Sequence, residues 1–428
     1  MRWESLIAAT CCAGSFAVAV IAQEPATPAA VQPAAQPPSP PDPIKTMVDR
    51  LDLEKYRATI KGLTQFGDRR QGTDRNRAAI DWIEAQLKGS GCTNAERLTY
   101  TYPSPGASDP DAPARGAGGG RGRGTGEPAV SSETRRAREG GSSQFGTRSR
   151  TGVYQPDAPG AAPLDSRLRA LNAQPTTPGE RQDVYCTKIG TTHPEEMYIV
   201  GGHMDGHGWG EAANDDGSGT ALVMELARVF SAPDVQTDRS IRFVLWNNEE
   251  TGLNGAWAYV NQRKDRQGKE DPAGSSRYPE PKWLGMIQHD MMMWDHGMPG
   301  PDGKVSAEQR READVNIEFQ MNSKMAEASQ KLAWAVKAAN DKYATDYPAS
   351  VGPHMTNTDS TPFMNLVPAV SLRENERGMQ IGAGWDPNWH QPSDVFATYG
   401  DKDFRLGLNA AQTTLSAIAQ LTGATLKK

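Results

Sequence analysis

Apolar and polar positions in the middle of the chain alternate between short β-rich runs and segments with helical spacing. Residues 197–200 (Met-Tyr-Ile-Val) form a short apolar run that is typical of a buried strand. Leu222, Leu226 and Val229 then recur at helical spacing, and Asp216 stands where a helix N-cap is expected. The order of strand, Gly-rich turn and helix predicts one unit of an α/β protein.

Runs of the same kind recur along the rest of the chain. They predict further strands at residues 97–102, 183–189, 240–246, 283–290 and 367–372. Helices are predicted from Lys45 to Leu63, after Thr73 or Asp74, from Thr251, over residues 324–339 and from Phe404 to Ile418. Strands that alternate with helices favour an α/β fold, a three-layer sandwich with a mixed, largely parallel central sheet flanked by helices.

The first 43 residues differ in composition from the rest of the chain. Arg2 is followed by a mostly apolar run from Leu6 to Ala22, so residues 1–22 resemble a secretory signal peptide. The run falls short of the ~20 apolar residues that a membrane span needs, which disfavours a retained anchor. Residues 23–43 are rich in Pro and Ala and predict an extended linker. We therefore expect an exported protein, secreted or periplasmic, with no membrane span in its mature part and a catalytic domain over residues 44–428.

A low-complexity stretch from residue 103 to 181 is predicted to interrupt this domain as an insertion. Between Pro103 and Arg150, eight Arg face five acidic residues, a local net charge of +3. Phe145 is the one aromatic side chain there for stacking on bases, so a solvated surface insertion is favoured over a nucleic-acid tether. The whole chain has 46 Lys and Arg against 52 Asp and Glu, a net charge of −6. No nucleic-acid partner is therefore expected.

Two of the four cysteines, Cys92 and Cys186, lie in the expected mature chain. An oxidising compartment would allow them to form a disulfide that spans the low-complexity stretch. Two unpaired thiols are a nearly equal alternative, because nothing in the sequence shows how far apart these residues lie.

Acidic and imidazole side chains follow several of the predicted strands and turns. The carboxyl ends of parallel strands meet at one edge of a sheet, and α/β proteins gather their active groups there. Imidazole with carboxylate suits Zn²⁺, and the set contains no thiolate, which disfavours an iron–sulfur or purely structural zinc site. The pattern predicts a pair of zinc ions. The side chains concerned are His203, Asp205, Asp215, Glu249, Glu250, Asp290 and His390.

Five short motifs, in their order along the chain, resemble those of the co-catalytic zinc exopeptidases of metallopeptidase family M28, which include bacterial leucyl aminopeptidase and glutamate carboxypeptidase. Any one motif is a weak signal, whereas all five with this spacing are a strong one, and the match runs from about Met197 to Asp394. The resemblance implies the phosphorylase/hydrolase-like α/β sandwich of that family. The motifs are His-x-Asp at 203–205, Asn-Asp-Asp-Gly-Ser-Gly at 214–219, Asn-Asn-Glu-Glu-Thr-Gly at 247–252, His-Asp-Met at 289–291 and Trp-His at 389–390.

Carried over residue by residue, the resemblance implies a ligand set for the metals. Asp215 would bridge two zinc ions. His203 and Asp290 would complete one site, and Glu250 and His390 the other.

The resemblance also implies roles for residues beside the ligands. Glu249 would be the general base, and Asp205 would orient the imidazole of His203. The peptide bond after Asp215 is often cis in this family. Asn214 is a departure, because some relatives carry Asp there. That position is not a ligand, so only the local charge is affected.

The function that these implications favour is an exported aminopeptidase acting on a peptide or small aminoacyl substrate. A carboxypeptidase or dipeptidase of the same family stays open, because substrate choice has no sequence signature. Arg373 and Arg377 are candidates to bind a substrate carboxylate, although solvated or ion-paired surface arginines are the plainer interpretation. A mononuclear zinc acyltransferase of the glutaminyl-cyclase kind would lack one set of ligands. A non-catalytic binding domain would lack Glu249 or several ligands.

Other residues near the motifs have structural interpretations. His289 precedes a ligand on a strand and should therefore face the opposite side of the sheet. His207 is either a turn residue or part of the site entrance. Asp359 is expected to cap a turn, with assistance at the substrate pocket as the alternative. Residues 291–294 (Met-Met-Met-Trp) are expected in the core.

Overall fold

A mixed sheet of eight strands organises the part of the chain that the computed structural model describes, which is residues 42–103, 153–161, 163–295, 315–353, 358–374 and 386–427. The chain divides into two units, Met1–Pro40 and Pro41–Lys428, and the described residues lie in the second. The predicted signal peptide, nearly all of the predicted linker and residues 104–152 of the predicted insertion lie outside the described residues. The strands of the eight-stranded sheet are β1 (Glu96–Tyr102), β2 (Gly179–Lys188), β3 (His193–His203), β5 (Arg239–Trp246), β6 (Lys282–His289), β7 (Val315–Phe319), β8 (Ala349–Gly352) and β9 (Ala369–Arg373). Two short strands, β4 (Val235–Gln236) and β10 (Thr425–Leu426), pair antiparallel in a separate sheet.

The centre of the sheet is parallel. Strands β5, β3, β6 and β9 are neighbours in that order and run in one direction. Antiparallel β2 and β1 extend the sheet beyond β5, and β7 pairs antiparallel with β9 before β8 follows in parallel. In the register, His203 of β3 pairs with Trp246 of β5, and Gly202 pairs with His289 of β6. The carboxyl ends of these strands therefore lie side by side, and residues that follow them meet at one edge.

Helices pack on both faces of the sheet, so the predicted three-layer α/β sandwich is confirmed. Phe243 and Leu245 of β5 join one apolar cluster, whereas Val244 and Trp246 join another, as alternating strand residues should. No helix in the described part of the chain is both long and apolar enough to cross a membrane. The helices are α1 (Pro43–Val48), α2 (Leu53–Leu63), α3 (Asp74–Gly89), α4 (Ser166–Asn172), α5 (Gly217–Phe230), α6 (Asn254–Arg263), α7 (Ala326–Tyr343) and α8 (Asp401–Leu421).

Helix α5 is buried along almost its whole length, and not only on the apolar face that the sequence predicted. It lies against β3 and also contacts α2 and α8. A helix enclosed in this way needs small or apolar residues on all sides. Its N-terminus is therefore held firmly beside the end of β3.

Two predicted helix boundaries were wrong. The pattern from residue 45 to 63 is broken after Val48, because Asp52 caps a new helix by accepting the Glu54 N–H at 2.9 Å. The helix predicted from Thr251 begins at Asn254. Residues 248 and 253 have positive φ angles of 63° and 59°, so the chain turns sharply before the helix starts.

The C-terminal end of the predicted insertion contains secondary structure. Residues 166–172 form α4, whose N-cap Asp165 accepts the Arg167 N–H at 2.9 Å, and β2 begins at Gly179. Helix α4 is anchored by the buried Asn172, whose amide donates to the Gly210 carbonyl at 2.8 Å. The helix was not predicted because the stretch around it has few apolar residues, and the contacts above that hold it are polar.

Cys92 and Cys186 form a disulfide, with their Cα atoms 6.1 Å apart. Both residues are buried, one just after α3 and the other in β2. The alternative of two unpaired thiols is therefore wrong. The bond joins the two chain segments on either side of residues 104–152.

Candidate metal centre

Strand ends and two loops deliver the predicted site residues to one edge of the sheet. Strand β3 ends at His203, and the turn before α5 carries Asp215. The remaining residues follow β5 (Glu249, Glu250), follow β6 (Asp290) and lie in the loop before α8 (His390).

These side chains form two groups that share one carboxylate. One group is His203, Asp215 and Asp290, and the other is Asp215, Glu250 and His390. Within each group, the potential ligand atoms lie within 4.8 Å of one another. Asp215 faces both groups, since its Oδ1 is 3.3 Å from His203 Nε2 and its Oδ2 is 3.1 Å from His390 Nε2. The structure thus brings all five predicted ligand residues together.

The carboxylates around both imidazoles stabilise positive charge at this site. Burial by itself would lower the pKa of His203 and of His390. The neighbouring acids outweigh burial, so the pKa of His203 lies well above its ordinary value and that of His390 rises to about 10. Bound cations would balance the negative charge of these carboxylates in place of protons.

The residues present also fit zinc in their chemistry. Glu250 Oε1 is buried, and no described residue donates a hydrogen bond to it. A buried carboxylate oxygen without a partner is costly unless an ion or a water satisfies it. Two imidazoles and three carboxylates supply the nitrogen and oxygen ligands that suit Zn²⁺.

Glu249 lies beside the two groups. It is 8% exposed, and its carboxylate comes within 4.8 Å of ligand atoms of His203 and Glu250. Its backbone N–H donates to Asp205 Oδ1 at 3.0 Å. Burial holds the pKa of Glu249 well above its ordinary value, with Glu250 and Asp290 adding to the effect and His203 opposing it. A carboxylate with raised proton affinity at this position suits proton transfer.

Asp205 contacts His203 through its backbone oxygen and not through its carboxylate. The imidazole Nδ1 lies 3.0 Å from the Asp205 backbone oxygen, compared with 3.9 Å from its carboxylate Oδ1. The carboxylate instead accepts the Glu249 N–H. Burial raises the pKa of Asp205 to about 7. The backbone carbonyl therefore orients the ring, and the side chain supports the residue expected to act as base.

The peptide bond between Asp215 and Asp216 is cis, as the family resemblance implied. The Asp216 carboxylate accepts the Gly219 N–H at 2.8 Å and the His203 N–H at 2.9 Å, so it ties the helix start to the strand end. Gly202 permits this approach, because a Cβ there would lie 2.8 Å from the carbonyl carbon of Gly219. His203 and Asp215 are consequently presented from adjoining backbone.

A buried polar cluster behind Asp215 was missed by the sequence analysis. Asp394 accepts the backbone N–H groups of Asn214 and Asp215, at 2.8 and 3.1 Å. The Asn214 amide donates to Glu374 Oε2 at 2.9 Å and to Asp386 Oδ2 at 3.0 Å. Each of these three acids lies at least 160 residues from Asn214 in sequence, so no local motif connects them.

Arg373 is ion-paired, as one interpretation from the sequence allowed, but it is buried and its partner is a predicted ligand. Its Nη2 donates to Asp290 Oδ2, and both side chains are buried. It is therefore not a surface residue, and its Nη2 is committed to Asp290. Burial acts to raise the pKa of Asp290, but Arg373 and His203 outweigh it and hold that pKa below its ordinary value. Arg377 lies outside the described residues.

His289 has the structural role that the sequence predicted. It is fully buried, with Nδ1 3.0 Å from the Gly201 oxygen and Nε2 2.8 Å from Thr414 Oγ1 of α8. Burial lowers its pKa to about 4, so the ring is neutral at pH 7. Residues 291–293 are likewise buried, as predicted for the core.

His207 and Trp389 contact the His390 side of the site. The Trp389 ring stacks on the His390 imidazole with centroids 3.8 Å apart, and the His207 ring meets it edge-on at 5.5 Å. His207 Nε2 lies 3.2 Å from the Glu250 carbonyl oxygen. His207 is thus a turn residue that also lines the site.

Asp359 is fully buried and does not make the expected turn-capping contact among the described residues. Its Oδ2 accepts from Gln288 Nε2 at 3.3 Å. Burial raises its pKa well above the ordinary value, and the charge of Glu249 adds to the rise.

The sequence profile of Peptidase family M28 matches residues 184–405, more than half of the chain. Aminopeptidase YwaD of Bacillus subtilis is 38% identical over 75 residues, and Carboxypeptidase Q of Xenopus laevis is 36% identical over 76 residues. Each of these matches covers 18% of this chain and 16% of the relative, so the chain spans only a small part of the curated relatives it matches.

Two solved structures share the fold. BSAP, a zinc aminopeptidase from Bacillus subtilis, superimposes with a TM-score of 0.56 at 18% identity, covering 88% of this chain and 96% of that chain. A glutaminyl cyclase from Porphyromonas gingivalis gives a TM-score of 0.50 at 13% identity, covering 87% and 99%. The family profile spans the strands and turns that carry the site, and this chain belongs to peptidase family M28.

Proposed function

We propose that this protein is an exported aminopeptidase that hydrolyses peptide bonds with two zinc ions and Glu249 as general base. The observation that carries the proposal is the position of Asp215, whose two carboxylate oxygens face different histidines at 3.3 and 3.1 Å. A carboxylate placed in this way can bridge two cations about 3.5–4 Å apart, the spacing of two-metal hydrolytic sites.

The described residues would divide the chemistry between them. His203 and Asp290 would hold one zinc ion, and Glu250 and His390 the other. Bound zinc supplies a lowered pKa for water and polarisation of the scissile carbonyl. Glu249 accepts a proton from the attacking water and delivers it to the leaving amine as the C–N bond breaks.

The environment of Glu249 supports its role as base. Burial and nearby acids raise its pKa, so its proton affinity exceeds that of an exposed glutamate. Cations beside it would favour the ionised form that a base needs. The hydrogen bond from its backbone N–H to Asp205 keeps the residue in place.

The charges around the ligand groups support an aminopeptidase over a carboxypeptidase. A carboxypeptidase needs a cationic side chain that is free to bind the substrate carboxylate. In the described part of the chain, the arginine found at the ligand groups, Arg373, is committed to Asp290. The neighbouring side chains of Glu249, Asp205 and Asp359 are carboxyl groups, so none of them offers a cation to a substrate carboxylate.

An acyltransferase of the glutaminyl-cyclase kind is the second candidate, because that fold is shared. It would need only one of the two metal positions. Both ligand groups are complete here, which favours the hydrolase. A non-catalytic binding domain is disfavoured for the same reason, and because Glu249 is retained.

The disulfide between Cys92 and Cys186 supports export. Such bonds persist mainly in oxidising compartments. The predicted signal peptide, residues 1–22, provides the sequence basis for the same proposal.

Metal content and hydrolysis, measured together on wild type and Glu249→Gln, test the proposal. About two zinc ions per chain are expected in both proteins. Hydrolysis of an aminoacyl amide should be slower by about 10²–10⁴ in the variant, as expected for a lost general base. Glu195→Gln, at the opposite end of β3, is the matched control and should retain both metal and activity.

Each alternative predicts a different outcome. Unchanged turnover in Glu249→Gln would remove this residue as the base. Preference for an N-acylated peptide with a free C-terminus would favour a carboxypeptidase. One zinc ion per chain, with cyclisation of an N-terminal glutamine, would favour the acyltransferase.

A further inference from the structure

The two carboxylate oxygens of Asp290 have different environments. Oδ2 accepts from Arg373 Nη2, whereas Oδ1 lies 3.9 Å from His203 Nε2. The side chains of Arg373 and Asp290 are 4% and 5% exposed. The guanidinium therefore occupies one oxygen and leaves the other for the ligand group.

The sheet holds Arg373 in this position. It is the last residue of β9 and pairs with Asn316 of β7. The Asp290 N–H donates to the oxygen of Leu372, the residue before Arg373, at 3.3 Å. These hydrogen bonds fix both backbones, so the two side chains start from adjoining positions in the sheet.

Arg373 also makes the two ligand groups unequal in charge. Asp215 is common to both groups, so the difference lies in the other carboxylate of each. Asp290 is paired with the guanidinium of Arg373, whereas Glu250 has no lysine or arginine in contact among the described residues.

We propose that Arg373 lowers the cation affinity of the group of His203, Asp215 and Asp290 and holds Asp290 to one ligand oxygen; this inference rests on the proposed two-zinc function. A positive charge fixed behind a ligand repels a divalent cation, and burial leaves this repulsion poorly screened. The same charge leaves more of the cation's field for a water or carbonyl. Arg373 thus weakens cation binding at one of the two positions and strengthens the effect of that cation on a bound water or carbonyl.

Titration of the metal-free protein with Zn²⁺, without substrate, tests the inference. Arg373→Met removes the charge, and Arg373→Lys keeps it. In Arg373→Met, one of two binding steps should tighten at least about tenfold, while the other changes less than about threefold, since repulsion falls with distance. In Arg373→Lys, both steps should stay within about threefold of wild type because the charge remains.

Hydrolysis separates this role from a purely structural one. Zinc-loaded Arg373→Met should hydrolyse an aminoacyl amide about tenfold more slowly although it binds zinc more tightly, because its ion is less activating. The matched control is Arg242→Met, which breaks a buried ion pair with Glu280 at 3% and 0% exposure. That control should lose stability without tightening either zinc step.

The outcomes distinguish this inference from the proposed function. Unchanged or weaker zinc binding in Arg373→Met, with two steps in wild type, would overturn the inference alone. Fewer than two zinc ions in wild type would overturn the proposed function and this inference with it. If Arg373→Met does not fold, Arg373→Gln carries the same expectation, since it is neutral but can still donate to Asp290.

Discussion

Replacing Asn214 by Asp would exchange an amide for a carboxylate between two buried acids. Asn214 is fully buried, and its Nδ2 donates to Glu374 Oε2 at 2.9 Å and to Asp386 Oδ2 at 3.0 Å. An ionised carboxylate cannot donate, so both hydrogen bonds would be lost and three acids would face one another. This test matters because the family resemblance makes Asp the natural alternative at this position.

The expected destabilisation is large at high pH and shrinks in acid. Leaving a buried acceptor without its hydrogen-bond donor costs about 1–3 kcal/mol, so losing both bonds predicts a loss of about 2–6 kcal/mol at pH 8. Burial already raises the pKa of Glu374 and of Asp386. The pKa of the carboxyl group introduced at position 214 would be raised for the same reason. The folded variant then binds a proton that its unfolded chain has released, so its stability falls with rising pH by up to about 1.4 kcal/mol per unit.

Denaturant unfolding of zinc-free protein at pH 8 and pH 5.5 measures this effect. The matched control is the double variant Asn214→Asp, Asp386→Asn, which swaps the amide and the acid. It restores a hydrogen-bond donor between positions 214 and 386 and should recover more than half of the lost stability. Tyr399 OH would keep its hydrogen bond to Asp394 Oδ1 at 2.9 Å in that variant. A loss below about 1 kcal/mol at pH 8, or an exchange that adds to the loss, would refute the reasoning.

The disulfide and another buried carboxylate give the remaining predictions. The double variant Cys92→Ala, Cys186→Ala removes the disulfide, whose cysteines are 94 residues apart in sequence. The loop-closure model predicts that the free energy of unfolding falls by about 4–5 kcal/mol. A loss below about 1 kcal/mol in denaturant unfolding would contradict this prediction. Asp183 is fully buried, and burial raises its pKa well above the ordinary value. Its folded form keeps a proton that the unfolded chain releases above about pH 4, so this contribution to stability is lost as pH rises. Asp183→Asn should flatten that part of the stability profile, measured by unfolding from pH 4 to 8, and an unchanged slope would count against this assignment.

Much of the candidate site could be predicted from the sequence because its side chains follow recognisable local patterns. His203 and Asp290 come at strand ends, and Asp215 lies in a Gly-rich turn before a helix. Parallel pairing then brings them together without any further information. The contacts of the supporting residues could not be predicted in the same way. Arg373 lies 83 residues from Asp290, and nothing in its own neighbourhood indicates that it pairs there.

The sequence also left the choice of contacting atoms undecided. Asp205 was expected to orient His203, and the structure shows that its backbone oxygen makes that contact. Which atom wins depends on the path of the turn and on the competing N–H of Glu249. Such competition is settled by three-dimensional packing, since several partners satisfy the same spacing in sequence.

By itself, the sequence determined the alternation of strands and helices and the edge of the sheet where acidic and imidazole side chains gather, and its motifs carried the family resemblance that implies five metal ligands. These features depend on periodicity and on short motifs, which are properties of neighbouring residues. Only the tertiary structure decided that the cysteines pair, that residues 166–172 form a helix, that Arg373 pairs with a buried acid and that Asn214 donates hydrogen bonds to two others. Those outcomes depend on contacts between distant segments, because burial makes an unpaired charge or polar group costly and so selects partners wherever the fold places them.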